Sequence, residues 1–395
     1  MAQLPPRTYL YFCAQSINLT AAVMSVTMAA LVGAQLAPTP ALATTAYGLQ
    51  FLLLMLSTYP AAKIMARWGR KAGFLIGAWP LAGAGALGYW AVVDRSFLLL
   101  LLSHAALGVY IAFANFNRFA ATDTLDPALK PKALSLVVAG GVIAAVAGPT
   151  LTGMLSAPPG YAPFSLCYAA FGALAALAMG VALLLPNERH SAPTPASPAL
   201  NPRAPRAAPT PWAPIMLATA VAALSYGIMN LLMVQASLHM AHQQAPFPAI
   251  RLAIQWHVIA MFAPSFFTGA LIAKIGLRAT LCAGLTLLLG CAVVNLAAYH
   301  YTTMVTSLVL LGLGWNLTYV GGGALLSQVL GHHPQAYAVQ GKSDVAIAVC
   351  ATLGAFSPSL LLSAVGWGGT LTGCIVMCGA LLAVTLFTLG NKAGH

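Results

Sequence analysis

Apolar runs of about twenty residues or more recur along the whole of this chain, and no other feature constrains its fold as strongly. Each is long enough to cross about 30 Å of hydrocarbon as a helix, the one open-ended structure that satisfies its own backbone without water. Twelve are read, at roughly 9–33, 42–65, 74–93, 96–119, 134–156, 163–185, 212–238, 249–273, 279–300, 304–330, 343–364 and 368–389. Composition agrees: a soluble globule needs about a quarter of its residues charged, and here 6% are charged against 60% hydrophobic. The chain is expected to be an all-α integral membrane protein whose first partner is the lipid bilayer.

The net charge of +12 invites a polyanion-binding reading, and its distribution removes it. With the N-terminus inside, fifteen of the seventeen Lys and Arg fall on cytoplasmic segments, leaving Arg95 and Arg251 outside. That asymmetry is the positive-inside pattern, so both termini are expected in the cytoplasm and no nucleic-acid partner is required. The opening "MAQLPPR" leads into a run too long for the h-region of a signal peptide, so the first span is expected to stay. Seven cysteines, mostly within spans, read as small hydrophobes and not as a disulfide framework; Cys374 and Cys378 in "CIVMC" share a helix face and read the same way.

Between the sixth and seventh runs lies "NERHSAPTPASPALNPRAPRAAPTP", rich in Pro, Ala and Ser. Such a stretch reads as a linker. On either side the chain repeats itself: "AKIMARWGRKA" after the second run aligns with "ALIAKIGLRA" after the eighth, Gly69 with Gly276 and Lys71 with Arg278. A period of half the chain implies two pseudo-symmetric six-helix bundles, 1–185 and 212–395, joined by the linker at 186–211.

The loop carrying Arg67, Gly69, Arg70 and Lys71 resembles the G-x-x-x-D-R-x-G-R-K loop of the major facilitator superfamily, with Ala66 where that family carries its acid and Ala273 at the same place in the second copy. The resemblance covers the full length and implies twelve helices working by alternating access, with these four residues at a cytoplasmic gate; topological anchoring explains the charges equally. "AGGVIAAVAGPTLTG" resembles the family's glycine-proline antiporter motif through Gly140, Gly148, Pro149 and Gly153, and close helix packing explains those residues as well. His104 falls where superfamily members often carry an arginine, so it is a candidate for proton coupling or a satisfied packing histidine. Arg118 is expected to snorkel or to pair with Asp123.

A transporter of this design holds cargo near mid-membrane between its halves. Asp94, Asp123, Asp126 and Glu188 fall in loops or at span ends, and Asp344 is expected to begin the eleventh helix, so organic cations lack a buried counter-ion. What remains inside is soft: Met24 and Met28, Met229 and Met233, and His257 with Met261, each pair spaced four apart and so sharing a helix face. Random placement gives roughly 0.5 Met-x3-Met and 0.3 His-x3-Met, so one motif alone decides little. Depth adds weight. Met233 and Met229 lie roughly 7 and 13 Å below the outer end of the seventh span, and His257 and Met261 roughly 12 and 18 Å below that of the eighth. Three thioethers and a neutral imidazole select Cu(I) over harder ions, although methionine pairs in membrane helices also serve as packing.

"MNLLM" and "HVIAM" match the signatures of the CcoA-type copper importers within the superfamily, and "WHVIAMFAPSFFTG", "LGLGWNLTYVGGG" and "RFAATD" are also similar to that group. The resemblance implies that Met229, Met233, His257 and Met261 bind copper as transported substrate, with no catalysis and no resident cofactor. It also implies import through a bacterial cytoplasmic membrane for assembly of a cbb3-type cytochrome c oxidase, by a monomer passing the metal to a cytoplasmic acceptor. Met24 and Met28 are candidate partners from the first half. His239, Met240 and His242 are candidates for capture at the outer end, or simply an exposed polar helix terminus. The rivals are a carrier of a small organic solute such as riboflavin or a drug, stacked on Trp256, Phe262, Trp315 and Tyr319, and a copper sensor that binds without flux.

Overall fold

The computed structural model describes residues 4–123, 125–126, 129–186, 211–297, 300–330 and 336–390. The linker expected at 186–211 lies outside them except for its two end residues. Among the described residues every regular element is helical: α1 (Pro6–Leu36), a 3-10 turn (Pro40–Leu42), α2 (Thr45–Val93), α3 (Phe97–Ala114), α4 (Asn117–Ala120), α5 (Lys130–Leu155), α6 (Ser165–Leu184), α7 (Trp212–His242), α8 (Phe247–Phe262), α9 (Ser265–Ala297), α10 (Tyr301–Leu330), α11 (Ala336–Ala364) and α12 (Gly366–Gly390).

Among the described residues ten segments are individually long and apolar enough to cross a membrane, and two backbone breaks raise the number of crossings to twelve. α2 has 49 residues, over twice what a bilayer needs, and breaks at Gly69 with φ 85° and ψ 165°. A side chain on Gly73 would collide with Met65, although eight residues of continuous helix would hold them about 12 Å apart. The chain therefore folds back at Gly69, a position open to glycine because φ is positive. α9 breaks likewise at Gly276, with φ 85° and ψ 160°. α10 packs Gly312 against His257 of α8 and Gly314 against Leu288 of α9, so those two stretches run side by side. α8 with the start of α9 makes one crossing, and the rest of α9 makes the next.

The two breaks share a face with most of the Lys and Arg, here termed the basic face. Lys71 donates to the Leu183 carbonyl at 2.6 Å, in the last turn of α6, and Arg278 to the Leu386 carbonyl at 3.4 Å, in the last turn of α12. The aligned cations thus dock in the same way twice, each on a carbonyl near the end of the last helix of its half. α1–α6 pack mainly among themselves, as do α7–α12.

At the opposite face the two halves are locked along two seams. In the first, α2 meets α11: the Thr44 amide donates to Ser359 Oγ at 3.2 Å, the Ser359 amide to Thr44 Oγ1 at 3.3 Å, and the two hydroxyls stand 2.8 Å apart. Thr44 Oγ1 also reaches the Phe356 carbonyl at 3.0 Å and Ser359 Oγ the Ala41 carbonyl at 2.7 Å. In the second seam α5 and the start of α6 meet α8, with Phe164 edge-on to Phe247 at 5.1 Å and Gly153 against Arg251.

The helix boundaries correct one expectation. α11 begins at Ala336, so Asp344 stands two turns inside it and not at its start; the polar "QAYAVQGKS" had hidden those turns from a hydropathy reading. Asp344 is exposed, as is Arg118 on the other bundle.

Each hydrogen bond of the Thr44–Ser359 lock contributes about 1 kcal/mol. Thr44→Val combined with Ser359→Ala is expected to shift the bundles toward opening there by at least about tenfold. In a cysteine-free background, Val26→Cys on α1 should then react several-fold faster with an impermeant maleimide added from the α1–α2 side; an unchanged rate would show that the lock carries no conformational energy.

Candidate functional site

α7 runs toward the opposite face and α8 returns from it after only Gln243–Pro246. Because α7 extends to His242, its methionines lie deeper than the sequence suggested: Met233 and Met229 sit roughly 14 and 20 Å below its end, and His257 and Met261 roughly 15 and 21 Å below the start of α8. The two pairs are therefore level. All four side chains are buried, with exposures of 2% for Met229, 3% for Met233, 0% for His257 and 8% for Met261. The three methionines belong to one core with Ile254 and Val258, which flank His257.

His257 has a defined tautomer. Its Nδ1 is 2.7 Å from the Leu308 carbonyl of α10, which can only accept, so Nδ1 carries the proton and Nε2 presents a lone pair. Nε2 is buried and has no hydrogen-bond partner. A buried polar atom left in this way costs about 1–3 kcal/mol. Gly312 makes the arrangement sterically feasible, since a Cβ there would stand 2.6 Å from the His257 carbonyl oxygen and 3.0 Å from the Met261 nitrogen.

The eighth crossing, expected to be continuous from 249 to 273, is interrupted at Ala263–Pro264. A broken helix at mid-depth is a recurrent feature of transporter cargo sites. Directly beneath lies an aromatic group: Trp315 stacks on Tyr319 at 5.0 Å and 10°, Tyr226 meets both edge-on at 5.4 and 5.7 Å, and Phe262 approaches Trp315 at 6.4 Å. Three of the four aromatics named from the sequence involve or adjoin this group; Trp256 does not, being 48% exposed, and Tyr226 takes a place the sequence reading missed.

Met24 and Met28 are both 0% exposed but lie in the core of the first bundle with Leu107, Phe171 and Tyr168. α1 turns Val23, Val26 and Ala30 toward the second bundle, and helical geometry puts the two methionines on the other side. They are not brought to the α7–α8 site. His104, also 0% exposed, has both ring nitrogens engaged, Nδ1 with Gln50 Oε1 and Nε2 with the Tyr168 hydroxyl, each at 3.1 Å, while Ser25 donates to Gln50 at 2.6 Å. This is a satisfied polar knot inside one bundle, and Gln50, Ser25 and Tyr168 were not foreseen in it.

At the outer candidates, Met240 is buried at 1%, His239 stacks on Trp367 at 4.8 Å and 13°, and His242 is exposed. His239 and His242, three apart, share a face of α7, while Met240 is turned about 100° away from His239. At the basic loop Arg67 is exposed, and Arg70 pairs with Asp123 at 2.9 Å, within one bundle. Asp123 thus supplies the carboxylate that Ala66 cannot. Arg118 is not its partner; it lies over the Phe119 ring at 4.7 Å.

Twelve crossings in two bundles, a lock at one face and a charge-poor interior define a multi-pass membrane transporter. The sequence profile of the Major Facilitator Superfamily matches residues 10–253. The chain belongs to that superfamily. It is 31% identical to the riboflavin transporter RfnT of Brucella anthropi over 363 residues, covering 90% of this chain and 88% of that one. It is 30% identical to the uncharacterized MFS-type transporter YdeG of Bacillus subtilis over 384 residues, covering 91% and 83%. The crystal structure of the POT family transporter PepTSo superposes with a TM-score of 0.72 at 12% identity, covering 99% of each chain, a likeness of fold.

Proposed function

We propose that the protein imports copper by alternating access, holding Cu(I) between α7 and α8 on Met229, Met233, His257 and Met261, in a bacterial cytoplasmic membrane with the basic face inward. The observation that carries this reading is the buried, unpartnered Nε2 of His257, whose other nitrogen is fixed by a backbone carbonyl. Metal-binding histidines are oriented in this manner, donating one ring N–H so that the other nitrogen is free to coordinate. Level thioethers complete a neutral, soft set suited to a monovalent cargo that must also be released. The metal would pass to an acceptor at the basic face.

A second reading is favoured by a different observation. The stacked Trp315 and Tyr319 with Tyr226 and Phe262 offer flat apolar faces, and a relative 31% identical is named a riboflavin transporter. A planar organic solute would then be the cargo.

Proteoliposomes separate the two. Reduced copper supplied outside should accumulate in the lumen with wild type and be unaffected by excess riboflavin. Met229→Ala and Met233→Ala should each raise the half-saturating copper concentration by at least about tenfold. Equal uptake by all three proteins, or competition by riboflavin, would transfer the assignment to the organic solute.

A further inference from the structure

The interruption at Ala263–Pro264 lies roughly 24 Å below the start of α8. One side chain from another helix spans it. Asn316 of α10 is 0% exposed, and its Nδ2 donates to the Met261 carbonyl at 2.7 Å on one side of the break and to Ser265 Oγ at 2.6 Å on the other. Its Oδ1 accepts from Thr268 Oγ1 at 2.6 Å, one turn into α9. The orientation of the amide is dictated chemically, because the Met261 carbonyl has no proton to give. Both faces of the amide are therefore committed, a buried polar group held with all its principal contacts made.

We propose that Asn316 is a positioning residue of the cargo site, fixing Met261 at the broken end of α8 so that its thioether stands in register with His257. The proposal rests on the copper reading of that site. α10 then serves as a ruler: the Leu308 carbonyl sets the imidazole, and Asn316, eight residues further along the same helix, sets the thioether one turn beyond it. Thr268 acts one step removed, holding the amide in the orientation that lets it donate. Neither residue touches the cargo.

The experiment is copper uptake into proteoliposomes by wild type, Asn316→Leu, Thr268→Val, Met261→Ala and the doubles with Met261→Ala, each first shown to be monodisperse in detergent. Leucine keeps the γ-branched shape of asparagine, though larger, and removes its donors and its acceptor. Asn316→Leu is expected to raise the half-saturating copper concentration about 10–100-fold with maximal rate within about twofold, and Thr268→Val to do the same by a few-fold. On the Met261→Ala background either change should add less than about twofold, because the group being positioned is gone. An unchanged half-saturation, a loss confined to maximal rate, or penalties that multiply in full on Met261→Ala would overturn the proposal. If Asn316→Leu does not fold, Thr268→Val alone decides by the same outcomes. Failure of wild type itself to take up copper sinks the cargo assignment and this proposal with it, and is distinguished because it needs no variant.

Discussion

His257→Leu is expected to abolish copper accumulation while leaving the protein as stable as wild type or more so. The two halves of that expectation have separate causes. Loss of transport follows from removing the one nitrogen in the site's core, buried at 0% exposure and unpartnered at Nε2, and should exceed about 100-fold in uptake at limiting copper. Retained stability follows from the energetics of the same atoms. The Nδ1 bond to Leu308 is worth about 1 kcal/mol net, and its loss leaves a carbonyl whose other lone pair still serves α10. Against this, the unpartnered Nε2 costs about 1–3 kcal/mol in the absence of metal, and leucine does not carry that cost. A histidine kept for packing would behave oppositely, losing stability and function together. Copper uptake and thermal unfolding in detergent, measured on one preparation, discriminate: retained uptake, or a fall in unfolding temperature that parallels the lost uptake, contradicts the assignment.

How much of this the sequence disclosed depends on the range over which each feature is determined. Crossings are local, so length and hydropathy reveal them, and Gly69 and Gly276 mark the sharp reversals because only a residue without Cβ readily adopts φ near 85°. The pairing of Met229 with Met233 and of His257 with Met261 is equally local, a consequence of helical period. Period tells which residues share a face but not which neighbour that face meets. Met24 and Met28 show the difference: their spacing equals that of the α7 pair, yet α1 buries them in its own bundle. The tautomer of His257 is set by Leu308 from 51 residues away, and the break at Pro264 is sustained by Asn316 from α10. An asparagine inside the apolar run "LGLGWNLTYVGGG" is a costly residue and was a readable signal, though not of its partner. Asp123 in place of the missing acid near Arg70 is likewise a tertiary substitution that no local pattern contains.

The site and the lock report on the same cycle from different depths. The Thr44–Ser359 seam joins the two halves at the face opposite the basic one. Met229, Met233 and His257 lie deeper, buried at no more than 3% exposure. α8 is the helix broken at mid-depth, and it is held by close approach to α10 as well as by the α5 seam.

Gly312→Ala is therefore expected to be the most damaging single methyl group that can be added to α10. Its Cβ would stand 2.6 Å from the His257 carbonyl oxygen, 2.9 Å from Ala260 Cβ and 3.0 Å from the Met261 nitrogen. All three are backbone or backbone-proximal atoms, so no side chain can swing aside and α8 itself has to retreat by several tenths of an ångström. Overpacking of this kind costs about 1–3 kcal/mol. Retreat also stretches the 2.7 Å bond from His257 to Leu308 and the 2.7 Å bond from Asn316 to Met261, the two contacts that fix the ligands. Copper uptake should fall by more than about tenfold even in the fraction that folds. The control lies in the same helix. Gly323 has nothing within 4 Å of the position its Cβ would take, so Gly323→Ala should gain up to about 1 kcal/mol from helix propensity and leave uptake unchanged. Thermal unfolding and uptake of the two variants, side by side, measure the steric argument directly: if Gly312→Ala behaves like Gly323→Ala, α8 is not held where the site requires it.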